Sequence, residues 1–175
     1  MASVAIFFAL GIFAAIILSI VIMKFTNTDK KIKTQYDERQ EIIRSRGYKY
    51  SFYAMLIIEV LFMCIKIADI KLPVNDFLLH LLAMLFGCLV LCVYSIWNDA
   101  YWGLNNDRKK YIIIYALVTL FNVAPIVAAF LEGNFRTEGW DALPITNIVV
   151  VIWLALIAAA ALVKKIVDSR SGEED

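Results

Sequence analysis

The sequence predicts an all-α integral membrane bundle of five transmembrane helices, with a charged cytosolic helix between the first two. Three observations predict it. The 175 residues are 62% hydrophobic and only 19% charged, with a mean hydropathy of +0.74, whereas a soluble domain is about 45–50% apolar and about 25% charged. The apolar residues are gathered into five runs, each near the roughly 20 residues that a helix needs to cross a bilayer. Finally, lysine and arginine are concentrated in alternate connections between those runs. A small soluble core has too much surface for its volume to hide such an excess of apolar side chains, but lipid can absorb it.

The five spans are expected at about 2–23, 48–67, 77–97, 111–131 and 145–163. None shows the polar–apolar alternation of a strand, and backbone groups in lipid must be satisfied within the segment, so each is a helix. The first run carries no side-chain charge in "MASVAIFF" and is longer than the 7–15-residue core of a secretory signal. "KFTNTDKK" follows it, and it reads as a retained span.

The connection 24–47 is expected to be a cytosolic linker helix opened by Thr28 or Asp29. Its acids and bases are spaced to pair, Lys33 with Asp37 and Glu41 with Arg44, each pair contributing about 0.2–0.5 kcal/mol. Gly47 marks a kink into span two. Residues 164–175 form a cytosolic tail, frayed over "SRSGEED". The whole chain, 1–175, reads as a single membrane domain.

Fourteen of the seventeen basic residues lie in three regions: Lys24–Lys49, Arg108–Lys110 and Lys164–Arg170. Five spans place these three on one side, leaving Lys66, Lys71 and Arg136 on the other. Basic connections stay cytosolic, so the N-terminus is expected outside and the C-terminus inside, in a plasma (inner) membrane. Tyr48, Tyr50, Tyr53, Trp97, Tyr101, Trp102 and Tyr111 fall near the inner interface and Trp140 near the outer one, where amphipathic rings concentrate. Trp153 is the exception, deep in span five.

Two groups of residues are candidates for function. The first is the segment "YDERQEIIRSRGYKYSFY", with Tyr36, Asp37, Glu38, Arg39, Gln40, Arg44 and Arg46 as a cytosolic interaction surface. Anionic lipid would attract it at about 1 kcal/mol per well-placed base; a cytosolic or membrane protein, or a second copy of the chain, is the other partner class. A net charge of +1 gives no case for nucleic acid. The segment resembles the YDERQ…G…Y segment, here Tyr36–Gln40, Gly47 and Tyr50, of a group of small multi-pass membrane proteins from Gram-positive bacteria, a domain-of-unknown-function type. The resemblance covers the first two spans and their link. It implies a bacterial cell-membrane protein with a regulatory or accessory role, and no catalytic residue.

The second group surrounds Glu59, which alone among the charged residues lies mid-span. An ionised side chain there costs at least about 2.5–3.5 kcal/mol, so it is expected to face a polar partner. Asn122 in span four lies at a similar depth and shares a face with Tyr115 and Thr119; Pro125 loosens that helix. His80, one turn inside span three, completes an expected polar cluster of Glu59, Asn122, Thr119, Tyr115 and His80. It is read either as a proton, cation or small cationic-substrate site, or as hydrogen-bonded packing.

Small residues at Gly11, Ala15 and Ser19, at Ala83 and Gly87, and at Ala155 and Ala159 mark faces where helices approach closely. Cys64, Cys88 and Cys92 form no C-x-x-C pair and read as packing residues. With one histidine in the chain no metal or other cofactor is expected, and no H-E-x-x-H, G-x-S-x-G or phosphate-loop motif is present. The expected function is therefore a non-enzymatic regulatory, scaffold or accessory membrane protein; the alternative is a small transporter or channel subunit using Glu59.

Overall fold

A computed structural model describes residues 2–72, 76–133 and 143–171, the side chains of residues 2–9, 11, 12 and 143 excepted. It contains five α-helices: α1 (Ala2–Thr26), α2 (Glu38–Ile67), α3 (Asp76–Trp97), α4 (Arg108–Leu131) and α5 (Leu143–Ser171). Among the described residues there is no strand, only an isolated bridge between Asn27 and Asn106. Among the described residues four helices, α2 to α5, are long and apolar enough to cross a membrane. The backbone of α1 is helical over 25 residues, and its described side chains form an apolar stretch over Phe13–Thr26.

The chain packs as two compact units. One comprises Met1–Asp37 and Trp102–Tyr115; the other comprises Glu38–Tyr101 and Ala116–Asp175.

The second unit is built on α3, which packs against α2 and α5. The small face expected on α3 is where α2 comes closest. Ala83 is fully buried, and a Cβ at Gly87 would stand 3.1 Å from Met55 Cβ and 3.2 Å from the Ser51 carbonyl oxygen. Ser51 Oγ donates to the Gly87 carbonyl at 2.7 Å. Gly47 serves the same purpose nearer the other end of α2, with Leu91 Cδ1 3.0 Å and Tyr94 Cδ1 3.1 Å from where its Cβ would be. It is a packing residue inside the 30-residue helix α2, where the contact replaces the missing side chain with a neighbour's.

α3 also packs against α5, whose buried residues are Leu154 and Ile157. Trp153 donates from Nε1 to the Leu85 carbonyl at 2.7 Å, which accounts for an indole so deep in that span. The small residues Ala155 and Ala159 are exposed, as are Ala15 and Ser19 on α1; Gly11 lies outside the described side chains. Cys64 and Cys88 are exposed rather than packed, and all three cysteines are free thiols.

The first unit overturns the expected linker helix. Residues 27–37 are irregular, and the charged run from Glu38 onward is the first part of α2. The cause is competition for backbone groups, since Asn, Asp and Thr side chains offer them alternatives to a helix. Asp29 Oδ1 accepts from Lys31 N at 3.1 Å in a local turn, and Lys30 takes a left-handed φ of 55°. Asp29 therefore makes a turn instead of capping a helix, and the supposed Lys33–Asp37 helical pair has no helix to sit on. At the other terminus α5 runs on to Ser171, covering the first part of the tail expected to fray. Trp140 and Arg136 lie outside the described residues.

Candidate functional site

Three places in the structure carry polar chemistry. The first is the polar zipper of the first unit, which the sequence reading missed. Residues 26–35 and 102–107 are sewn together by backbone bonds: Thr28 N to Asn105 O at 2.8 Å, Leu104 N to Gln35 O at 2.8 Å and Asp107 N to Thr26 O at 2.8 Å. Side chains complete it. Asn106 donates to Asn27 Oδ1 at 2.7 Å, and its own Oδ1 accepts from Gly103 N at 2.7 Å. Asn105 Oδ1 accepts from Gln35 N at 2.8 Å, while its Nδ2 donates to Asp29 Oδ1 at 3.1 Å and to Lys33 O at 3.2 Å. Thr26, Asn27 and Asn105 are buried, which is tolerable because each finds partners. Gly103 has to be glycine for this approach: a Cβ would collide with Thr34 Cγ2 and stand 2.7 Å from Gln35 O. The only hint in the sequence is the run of amides and acids in "GLNND", facing "TNTD" across some seventy residues.

The zipper also starts α4. Asp107 precedes Arg108, and its Oδ1 accepts from Lys109 N at 3.1 Å and Lys110 N at 3.4 Å, an N-cap arrangement. Desolvation works to raise the Asp107 carboxyl pKa, but the Lys110 backbone N–H, the Lys110 side chain and the Lys109 N–H outweigh it and hold it low. Asp29 is also held low, by the Lys31 N–H first, with the Asn105 amide and the Lys31 charge adding to it against a raising effect of desolvation. Nearby, Trp102 stacks edge-on to Tyr111 at 5.5 Å with Arg108 over its ring at 5.8 Å, the amphipathic arrangement expected of interfacial rings.

The second place is the charged start of α2. Gln40 Nε2 donates to Asp99 O at 3.1 Å. Arg44 donates to Ala100 O at 3.4 Å and to Tyr48 OH at 2.9 Å. With buried Gly47, these residues form a face at steps of four and three, fastened to α3 and the residues just after it. The other side of the helix is left open: Arg39, Ile42, Arg46 and Lys49 are all exposed, at steps of three, four and three, one stripe of a 3.6-residue helix. Glu38 is exposed beside it, and Tyr36 and Asp37 precede the helix and have interactions of their own. The expected interaction segment is thus divided, Gln40 and Arg44 serving the fold and Arg39 and Arg46 facing outward.

The third place is Glu59. Its carboxylate meets His80 Nδ1, at 2.9 Å from Oε2 and 3.1 Å from Oε1. The antiparallel course of α2 and α3 brings these residues together: contacts pass from Lys66–Asp76 near the connection, through Glu59–His80 and Ser51–Gly87, to Gly47–Ser95. Asn122, expected as the principal partner, donates instead to Val118 O on its own helix at 2.8 Å. That back-bond lies one turn away and is always in reach, whereas a bond to α2 would need α4 to be its packed neighbour. Thr119 and Tyr115 also make interactions. Glu59 and His80 border an open groove of ≈ 410 Å³ whose other walls include Leu56, Val60, Phe62, Met63 and Leu79. Lys66 and Asp76 close one end, joined by a 2.6 Å hydrogen bond. Among the described residues, no three His, Cys, Asp or Glu side chains gather as metal ligands would.

Comparison with protein-family models, with curated proteins and with solved structures returned no match for this chain.

Proposed function

We propose that the chain is a multi-pass inner-membrane protein with five spans, its N-terminus outside and its C-terminus cytosolic, acting as a regulatory, scaffold or accessory subunit rather than an enzyme. The observation that carries the role is the divided start of α2. Gln40, Arg44 and Gly47 lock one face, while Arg39, Ile42, Arg46 and Lys49 stand free on the other. A helix fixed on one side and cationic on the other is a rigid contact surface, needing no folding on binding and so losing little entropy there. Because α2 continues unbroken into its apolar part, the stripe sits at headgroup level. Anionic lipid of the inner leaflet is the nearest ligand.

The topology draws support from which connections meet. Residues 26–35 pair with residues 102–107 in the first unit, and Lys164 lies 3.4 Å from Asp99 in the second. These are the three regions that an odd number of spans and the positive-inside rule assign to one side. The resemblance of Tyr36–Tyr50 to the bacterial YDERQ…G…Y segment points to the same placement and to an accessory role.

The test uses the full chain in nanodiscs of phosphatidylcholine with and without phosphatidylglycerol. The wild type is expected to unfold at higher temperature with the anionic lipid, and Arg39→Gln/Arg46→Gln/Lys49→Gln to lose that increment, about 3 kcal/mol for three bases. An equal response of both proteins to phosphatidylglycerol would remove the stripe from lipid recognition.

A further inference from the structure

We infer that the groove over Glu59 and His80 is a binding site for a lipophilic monocation: an ammonium or similar centre carried on an apolar body. This rests on α2 and α3 lying in lipid, and not on the stripe at the start of α2.

The charges in the groove lead to the class of ligand. Lys66 is already matched by Asp76, 2.6 Å away. Glu59 has no such permanent counter-charge; among the described residues its partner is the His80 imidazole, which is charged only when protonated. Glu59 is thus the carboxylate of the groove with no lysine or arginine paired to it among the described residues, in surroundings where an isolated charge is poorly tolerated. An incoming cation compensates it. An anion would meet Glu59 and Asp76 with only a lysine that is already engaged.

The walls exclude a bare metal ion and favour an apolar body. Hard cations require several oxygen ligands, whereas the surfaces flanking the carboxylate are Leu56, Val60, Phe62, Met63 and Leu79. Phe62 and Met63 line the groove, an aromatic side chain of the kind that attracts a diffuse cation beside a soft, adaptable one. At ≈ 410 Å³ the groove is of small-molecule size, within the roughly 300–1,000 Å³ usual for such sites. The other groove of the same unit, ≈ 360 Å³ along α2, α3 and α5, is lined by apolar residues and Trp153 and has no charge to select a ligand.

The discriminating pair of probes is benzyltrimethylammonium and neopentylbenzene, which share a shape and differ by one charge. Equilibrium binding to the detergent-solubilised full chain is measured by calorimetry. The wild type is expected to bind the cation saturably and at least about tenfold more tightly than the hydrocarbon, a difference of about 1.4 kcal/mol. Glu59→Gln is expected to abolish that preference while leaving hydrocarbon binding unchanged. Glu59→Asp, which keeps the charge, is expected to keep the preference and covers the case in which the Gln variant does not fold. Equal affinity for the two probes in the wild type, the same cation affinity in Glu59→Gln, or loss of the preference in a folded Glu59→Asp protein would each overturn the assignment.

Discussion

Asn105→Ala is the most informative single change in the first unit. The Asn105 side chain makes three hydrogen bonds, with Gln35 N, Asp29 Oδ1 and Lys33 O, and the residue is only 6% exposed. Each ordinary hydrogen bond contributes about 0.5–1.5 kcal/mol, one to a charged group about 1.5–3, and a buried group left without a partner costs more. Losing two ordinary bonds and one to a carboxylate together should loosen the zipper by about 3 kcal/mol. At 1.36 kcal/mol per factor of ten, this is a rise of roughly 100-fold in the open population. Lys30, Lys31 and Lys33 lie on the zippered segment and are exposed, so trypsin reports opening directly when cleavage is slow relative to reclosing. Cleavage after these lysines in reconstituted protein should accelerate by about two orders of magnitude, with cleavage after Lys66 unchanged as an internal control. A change of less than about threefold would mean that the Asn105 bonds do not hold residues 26–35 in place.

The remaining expectations concern pH and packing. Asp29 and Asp107 both have carboxyl pKa values below the ordinary 3.8, so they stabilise the folded zipper above that value and cease to do so as pH falls through their lowered values. Amide exchange at Thr28, Gln35 and Leu104 should therefore keep constant protection factors from about pH 8 to about pH 5 and lose protection below about pH 4; loss of protection beginning near neutral pH would contradict this. Gly87→Val should drive α2 from α3, because the Cβ position is already 3.1 Å from Met55 Cβ; a loss of about 1–3 kcal/mol in unfolding experiments is expected. Ser95 Oγ is buried and, among the described residues, has no hydrogen-bond partner, so Ser95→Ala should be neutral or stabilising by up to about 1 kcal/mol, and a clear loss of stability would reveal a partner for that hydroxyl.

Hydropathy made the helices legible, since a run of some twenty apolar residues in lipid leaves the backbone no other way to satisfy itself. Small-residue spacing made Ala83 and Gly87 legible as a packing face, but the same signal at Ala155 and Ala159 lies on an exposed face of α5, because alanine is common wherever a helix is apolar. Glu59 was legible as an anomaly, and His80 was among its expected neighbours, but Asn122 was expected as the main partner because it lay at the more similar depth. Which helix packs beside α2 is a matter of neighbours, and α3 is joined to α2 by only a short connection. The zipper was the least legible feature. Its bonds join residues some seventy positions apart, through amides that leave no periodicity, and they replaced a linker helix whose charge spacing looked adequate. Gly47 shows the same limit: the residue that breaks a lone helix is also the one that lets a neighbour's side chain fit against it.

The placement of α2 and α3 across a bilayer, with the basic connections together on its inner face, is tested most directly by accessibility on either side of α2. Single cysteines at Lys33 and Lys71, both exposed positions, are introduced with Cys64, Cys88 and Cys92 replaced by alanine, and intact cells are treated with a membrane-impermeant maleimide. Lys71→Cys is expected to react from outside and Lys33→Cys only after permeabilisation. Reaction of both from the same side would contradict a crossing by α2; reversed sidedness would contradict the orientation.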